Sequence, residues 1–561
     1  MFDRRGFLQI MMATAALCAP GSVGRAAAAQ KISQKDLLRF EPLGRITLLH
    51  FSDIHGQLMP VYFREPSINI GVGAVRGLPP HVTGRKLLDL YGIPAGSPEA
   101  YMLTSEDFVA LSRNYGRIGG LDRMATLIKA IRAERPGKTI LLDGGDTWQG
   151  SYTSLKTRGA DMVKAMNALG VEAMTAHWEF TYGAERVMEL IDQLEFPFLA
   201  GNVRDTSWDE PVFEAVKIFE RAGLRIAVIG QAYPYTPIAN PRYLIPDWSF
   251  GIREDQIRER VNAVRAAGVD LVVLLSHNGF DIDRKLASRV GGIDVIFTAH
   301  THDALPQATT VGNTLLVASG SHGKFLSRLD LDVRGRRVAA YRYKLIPVFA
   351  DVIDPDPAMA ALIKEVRAPY EAEVNRVLGR TESLLYRRGN FNGTFDDLIC
   401  QALLEERDAQ IALSPGFRWG ATLLPGQDIR VEDVFNQTAI TYPNAYRSDF
   451  TGAFLKEILE SVADNLFHPD PYYQQGGDMV RVGNLSYTIH VSNKIGSRIS
   501  DMTLIDTGEK IDAGKTYVVS GWASVNEGTQ GPPVHDVVSR YIERHKSVRI
   551  PENRQVKVIG A

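Results

Sequence analysis

Five apolar runs of strand length, each followed at once by aspartate or histidine, constrain this 561-residue chain more than any other feature. The runs are Ile46 to Phe51, Thr139 to Leu142, Ala173 to Thr175, Leu271 to Leu275 and Ile293 to Thr298. Behind them come Asp53-Ile54-His55, Gly144-Gly145-Asp146, Ala176-His177-Trp178-Glu179, Ser276-His277-Asn278-Gly279 and His300-Thr301-His302. Short continuous apolar runs fit strands buried on both faces, and in an open α/β sheet the carboxyl ends of such strands converge on one edge. Five of the chain's twelve histidines and two aspartates are therefore expected at a single sheet rim. One such cluster alone would read as a turn. Five of them, carrying carboxylates and imidazoles at strand ends, are costly to bury unless they are paired or coordinated. Seven ligands at one rim suit two metal ions sharing a bridging carboxylate. His50, His81, His322, His468, His490, His535 and His545 lack this context and read as structural.

The remaining composition narrows the class. With 63 basic and 65 acidic residues the chain carries a net charge of −2, which advertises neither nucleic acid nor an anionic membrane as a partner. Arg4-Arg5-Gly6-Phe7-Leu8, the modest apolar run Phe7 to Ala19 and the small residues Ala26 to Ala29 form a twin-arginine export signal, with cleavage expected near Ala29. The apolar run is too short to span a bilayer, which takes about 20 residues. The twin-arginine translocase exports folded proteins, so delivery to the periplasm with the metal already loaded is expected. Cys18 falls in the signal and leaves Cys400 alone in the mature chain, where it reads as a buried structural thiol rather than a nucleophile.

At this length two domains with appendages are expected. Between residues 41 and 345, strand-like runs, including Arg225 to Ile229 and Thr314 to Ala318, alternate with amphipathic helices such as Leu121 to Arg135 and Asp161 to Leu169. Residues 60–119 interrupt this alternation and read as an ordered lid or recognition insert containing Tyr62, Phe63, Tyr91, Tyr101 and Tyr115. Residues 354–378 form a linker helix. Residues 379–561 form a second domain, with a helix over Phe395 to Arg407, a strand over Ile411 to Ser414 and the loop Pro415 to Gly420.

Asp53-Ile54-His55-Gly56, Gly144-Gly145-Asp146-Thr147 and Ala299-His300-Thr301-His302 resemble three metal motifs of the 5′-nucleotidase branch of the calcineurin-like metallophosphoesterases. The resemblance implies an α/β (α+β) architecture. Its first part is a four-layer metallophosphoesterase domain with two packed mixed sheets flanked by helices, and its second is a smaller C-terminal 5′-nucleotidase-type domain. It further implies that Asp53, His55, Asp146 and His302 hold one metal, and that Asp146, His177, His277 and His300 hold the other. Members that cleave phosphate esters read Gly-Asn-His-Glu-Phe-Asp at the third motif, where His assists the reaction and Asp orients it. Here the stretch is Ala176-His177-Trp178-Glu179-Phe180-Thr181, so that dyad is absent. His-Trp-Glu-Phe is similar to the SoxB thiosulfohydrolases of the Sox sulfur-oxidation system. These hydrolyse sulfate from a cysteine S-thiosulfonate on the C-terminal arm of the Sox carrier protein, SoxYZ, using two manganese ions.

The resemblance sets the mechanistic expectation. The two metals, with Asp146 between them, activate a bridging water that attacks the terminal sulfonate sulfur. Arg418 clamps the sulfonate oxygens, and Trp178 supplies an apolar wall or an indole donor. Asn278 is also expected to bind substrate, and it and Glu179 to act through hydrogen bonds behind the ligands. The alternatives are a periplasmic 5′-nucleotidase or 2′,3′-cyclic phosphodiesterase, with Tyr442 and Trp522 as the aromatic pair that stacks a base, and a metal-stabilised binding module without catalysis.

Overall fold

The metal-bearing runs are all strands, and they divide between two sheets rather than lining one. The computed structural model describes residues 32–560; the Arg4-Arg5 signal and Cys18 lie outside the described residues. In the first sheet the order is Arg337–Pro347, Phe325–Arg334, Ile46–Phe51, Thr139–Asp143, Ala173–Met174. The last three strands are parallel to one another. The second sheet runs Thr309–Val311, Thr314–Ala318, Val295–Thr298, Leu271–Ser276, Leu224–Gln231, Val216–Arg221, with antiparallel pairs at both edges and a parallel centre.

Period-two alternation explains why both faces of these strands are apolar. Ile46, Leu48, Ile140 and Leu142 point inward and meet Ile226, Val228, Val273, Leu275, Val295 and Phe297 of the other sheet. Leu49, Phe51 and Leu141 point outward onto Leu127 and Ile131 of helix Leu121–Glu134 and Met162 and Met166 of helix Ala160–Leu169. On the far side Ile229, Val272, Leu274 and Ile296 pack on Ile257 and Val261 of helix Glu254–Ala266 and Leu286 of helix Phe280–Arg289. Four layers result, and each fully buried aliphatic side chain contributes about 1.5–3 kcal/mol. His50, on the inner face, stacks on Phe297 with ring centroids 4.6 Å apart and places Nδ1 2.6 Å from Ser319 Oγ, the structural part expected of it.

The insert is not a lid over most of its length. It forms three short helices, Gly84–Tyr91, Pro98–Leu103 and Phe108–Tyr115, and buries Tyr101, Phe108, Leu111 and Tyr115 in the main core. Tyr101 stacks on Phe108, Tyr115 and Phe349, so apolar burial orders this segment. The linker is helical over Pro357–Arg367 and Glu371–Val374, and Val377–Thr381 is already a strand, paired with Asp428–Arg430.

The C-terminal half holds a four-stranded sheet, ordered Tyr446–Thr451, Thr516–Gly521, Ile411–Ser414, Arg481–Gly483, and two three-stranded sheets. Helices Thr394–Glu406 and Val534–His545 pack together over a second core. Cys400 is a free thiol buried in that core, and burial pushes its pKa well up, which suits a structural role. No helix among the described residues is long and apolar enough to cross a membrane.

Truncating Leu275, wholly buried between the two sheets, tests the packing that sets the rim. Leu275→Ala is expected to cost about 2–5 kcal/mol, read as a lowered midpoint in urea unfolding followed by far-UV circular dichroism.

Candidate dinuclear metal centre

Because the two sheets stack face to face, the carboxyl ends of their parallel strands open on the same side of the sandwich. Asp53, His55, Asp146 and His177 leave the first sheet there, and His277, His300 and His302 leave the second. Asp146, His177, His277 and His300 bring one ligand atom each within 4.8 Å of one another, and Asp53, His55, Asp146 and His302 do the same. Both sets coincide with those implied by the motifs, and Asp146 belongs to each.

The geometry around Asp146 explains its shared place. Its Oδ2 lies 3.1 Å from His277 Nε2, 3.2 Å from His177 Nδ1 and 3.7 Å from His55 Nε2, while its Oδ1 accepts the Trp178 backbone N–H at 2.7 Å. Asp53 Oδ1 lies 3.3 Å from His302 Nε2. Burial opposes charge on Asp146, but His177 and His277 outweigh it and hold the carboxyl well below its usual range. Burial likewise pulls His277 down, yet the Asp146 and Asp53 carboxylates outweigh it and push it up to about 9. The two carboxylates therefore draw positive charge to the space between them.

The donor set fits two divalent cations. Six of the seven side chains are buried and His300 is partly so. Asp53 Oδ2, His177 Nε2 and His302 Nδ1 are buried without a hydrogen-bond partner, and His55 and His302 aim their Nε2 atoms at each other 3.1 Å apart. Burial drives His55 and His302 below the ordinary imidazole range, which favours the neutral rings that a metal needs as ligands. The His277 ring is oriented from behind, where Nδ1–H donates to the Gly144 carbonyl at 2.6 Å, so that Nε2 is the atom that would exchange its proton for a metal ion.

The backbone here is strained. Asp53, His55, Asp146, His300 and His302 all have φ between 51° and 75°, a region that residues other than glycine seldom occupy. Such positions cost of order 1–3 kcal/mol each and persist only where surrounding bonds over-determine them. Glu179 is one source of that constraint. Its carboxylate accepts the backbone N–H groups of Asp146, Thr147, Trp148 and His177, at 3.2, 2.6, 3.2 and 2.8 Å, and so ties two ligand loops together. Gly145, at φ 88°, lets those loops touch; a Cβ there would stand 2.8 Å from the Thr175 carbonyl oxygen.

Above the ligands lies a cavity of about 170 Å³, walled by Trp178 and Tyr233 from the first half and Phe417, Arg418 and Trp419 from the second. Trp178 meets Trp419 and Phe417 edge-on at 5.2 and 5.4 Å, and Phe417 stacks on Trp419 at 4.0 Å. Tyr233 stacks on His300 at 4.2 Å. Arg418 donates from Nη2 to the Gly477 carbonyl at 2.6 Å, and its Nη1 makes no hydrogen bond. Thr181, where the motif's aspartate is missing, shares a 2.7 Å hydroxyl contact with Thr441 and joins the two halves instead.

Three expected substrate residues lie elsewhere. Tyr442 and Trp522 are buried in the C-terminal core, the tyrosine hydroxyl donating to the Ala239 carbonyl and the indole N–H to Ser414 Oγ at 2.9 Å. Neither offers a face to the cavity; aromatic residues near a cleft also serve the core beneath it. Asn278 donates to Asp283 Oδ1 at 2.9 Å and lines an adjoining pocket of about 60 Å³ beside His300. Tyr233 and His322 were not singled out in the sequence, although both follow apolar runs that are strands, Leu224–Gln231 and Thr314–Ala318. His322, read as structural, accepts the Gly420 N–H at 3.0 Å and does so beside the centre, with its ring 5.5 Å from that of His55.

Residues 377–536 match the family model of the 5′-nucleotidase C-terminal domain. The 5′-nucleotidase of Bos taurus is 25% identical over 447 residues, which cover 72% of this chain and 76% of that protein. The solved sulfate thiohydrolase SoxB of Thermus thermophilus, in complex with glycerol, superposes with a TM-score of 0.90 at 37% identity, covering 93% of this chain and 98% of that one. The chain belongs to the SoxB family. A 5′-nucleotidase precursor from the same organism shares the fold at 20% identity, with a TM-score of 0.72 over 92% of this chain and 99% of its own. As a SoxB-family protein within the 5′-nucleotidase superfamily, the chain is a hydrolase with a buried histidine and aspartate centre.

The shared carboxylate makes a stoichiometric prediction. Asp146→Ala is expected to leave less than one ion per chain, and His302→Ala to leave about one, measured by elemental analysis of gel-filtered protein loaded with manganese.

Proposed function

We propose that this hydrolase releases sulfate from a cysteine S-thiosulfonate carried on the C-terminal arm of the Sox carrier protein, using two manganese ions, after twin-arginine export to the periplasm. The observation that carries the reading is the wall beside Asp146: Trp178, at the motif position where the phosphate-ester hydrolases carry histidine, packs edge-on against Phe417 and Trp419, and Thr181 takes the place of the motif's aspartate. Membership of a family whose solved relative is named a sulfate thiohydrolase supports it.

Asp53, His55, Asp146 and His302 would hold one ion, and Asp146, His177, His277 and His300 the other. Such a pair supplies Lewis-acid activation of water and neutralises charge on the sulfonyl oxygens. Carboxylate and imidazole donors alone accept several divalent ions, and manganese comes from the family resemblance.

The chain's own residues bind, orient and exclude water. Arg418, anchored through Gly477 and lying 3.6 Å from Asp478 Oδ1, keeps Nη1 available for a sulfonate oxygen. Trp178 is fixed by its backbone N–H on Asp146 and by its aromatic neighbours, and it keeps the reacting end of the cavity apolar. An ester must expel an alkoxide, a strong base that gains from a proton donor. A thiol has a pKa of about 8.5, so a sulfur leaving group departs without one, and an aromatic wall suffices. The cavity size agrees: about 170 Å³ admits a small group on a narrow arm, below the roughly 300–1,000 Å³ of pockets that enclose drug-sized ligands. Tyr442 and Trp522, the aromatic pair of the nucleotidase alternative, are not among the residues that line the cavity, which favours the thiosulfonate reading.

Sulfate release from a thiosulfonate-loaded carrier peptide, run beside a panel of nucleotides, tests the proposal. Sulfate release with negligible nucleotide turnover is expected, and turnover of nucleotides alone contradicts it. Arg418→Lys is expected to lower kcat/KM for the peptide by about 100-fold with metal content unchanged.

A further inference from the structure

Behind His302, on the side away from the cavity, lies a buried cluster of charge that the hydrolytic scheme does not use. Lys324, Glu65 and Arg388 are all nearly inaccessible, at 1%, 6% and 4% exposure. Lys324 Nζ donates to Glu65 Oε1 at 2.9 Å and to the Phe63 carbonyl at 3.3 Å. Arg388 Nη1 donates to Glu65 Oε2 at 3.3 Å and to the His302 carbonyl at 3.1 Å, and Nη2 donates to the Thr301 carbonyl at 3.1 Å. Three parts of the chain are thereby joined: the start of the insert, the loop before strand Phe325–Arg334, and the C-terminal half.

Stability does not account for such a cluster. Burying Lys324 and Arg388 against Glu65, with Asp303 the further carboxylate near Arg388, carries a desolvation cost that the pairing seldom repays, and apolar side chains of similar volume would often serve as well. A positional role does account for it. His300 and His302 both hold left-handed backbone, at φ 75° and 57°, and the two carbonyls between and beyond them are those gripped by the planar fork of Arg388. A turn that unfavourable needs bonds to hold it, and Glu65 in turn holds the guanidinium.

Building on the dinuclear reading of the centre, we propose that Arg388, braced by Glu65, is a positioning residue that fixes the Thr301 and His302 carbonyls and thereby aims His302 at the metal site it shares with Asp53, His55 and Asp146. Arg388 touches no ligand atom; it acts on His302 through the main chain. Partners of this kind typically change metal affinity by 10–100-fold when removed.

The test is a manganese titration of the metal-free full-length enzyme by isothermal calorimetry, with Arg388→Lys, which keeps the charge and loses the fork, and Glu65→Gln, which keeps the shape and loses the anchor. Wild type is expected to bind two ions. In each variant one ion is expected to weaken by 10–100-fold while the other stays within a few-fold, with an unchanged far-UV spectrum. Equal weakening of both ions indicates general loosening and overturns the proposal, as do variants that reproduce the wild-type isotherm. If one variant fails to fold, the other decides by the same criteria. Wild type that takes up fewer than two ions overturns the dinuclear reading itself, an outcome distinct from failure of the Arg388 proposal.

Discussion

One carboxylate organises the site. Asp146 Oδ2 faces three imidazoles at 3.1, 3.2 and 3.7 Å, in a place where water cannot compensate its charge. An ionised group in such surroundings must be paired or coordinated, and the ring nitrogens around it are placed as donors. The rest of the architecture serves that arrangement. Two sheets are stacked so that their strand ends share one side, and ligands from both meet over the same carboxylate.

Holding those ligands costs backbone strain, and the strain is countered by charge placed in the main-chain scaffold rather than by packing alone. Glu179 collects four N–H groups from two ligand loops, and Arg388 collects two carbonyls from a third. A buried carboxylate gathering donors and a buried guanidinium gathering acceptors are complementary devices with the same effect. Each fixes a loop that left-handed residues would otherwise leave free to relax.

Much of the centre was legible in the sequence because parallel strands buried on both faces need unbroken apolar runs, and ligands must leave from their ends. Asp53, His55, Asp146, His177, His277, His300 and His302 all carry that signature. The division of those strands between two sheets carries none, since an inward-facing Leu48 and an outward-facing Leu49 look alike in the chain. The order of the insert was legible in its aromatic residues, but its helices were not, because short helices broken by glycine and proline resemble a loop until Tyr101 and Phe108 are placed in the core. Aromatic residues of the second domain were the least legible. Whether Trp522 or Trp419 faces the cavity depends on which element lies beneath each, and no local pattern records that.

The central claim is that buried aspartate and histidine side chains from two sheets hold a pair of cations over Asp146. Anomalous scattering from crystals of manganese-loaded enzyme, recorded on both sides of the manganese edge, tests it most directly. Two peaks roughly 3.5–4 Å apart, one on each side of the Asp146 carboxylate, are expected. A single peak, or peaks away from Asp146, would contradict the account.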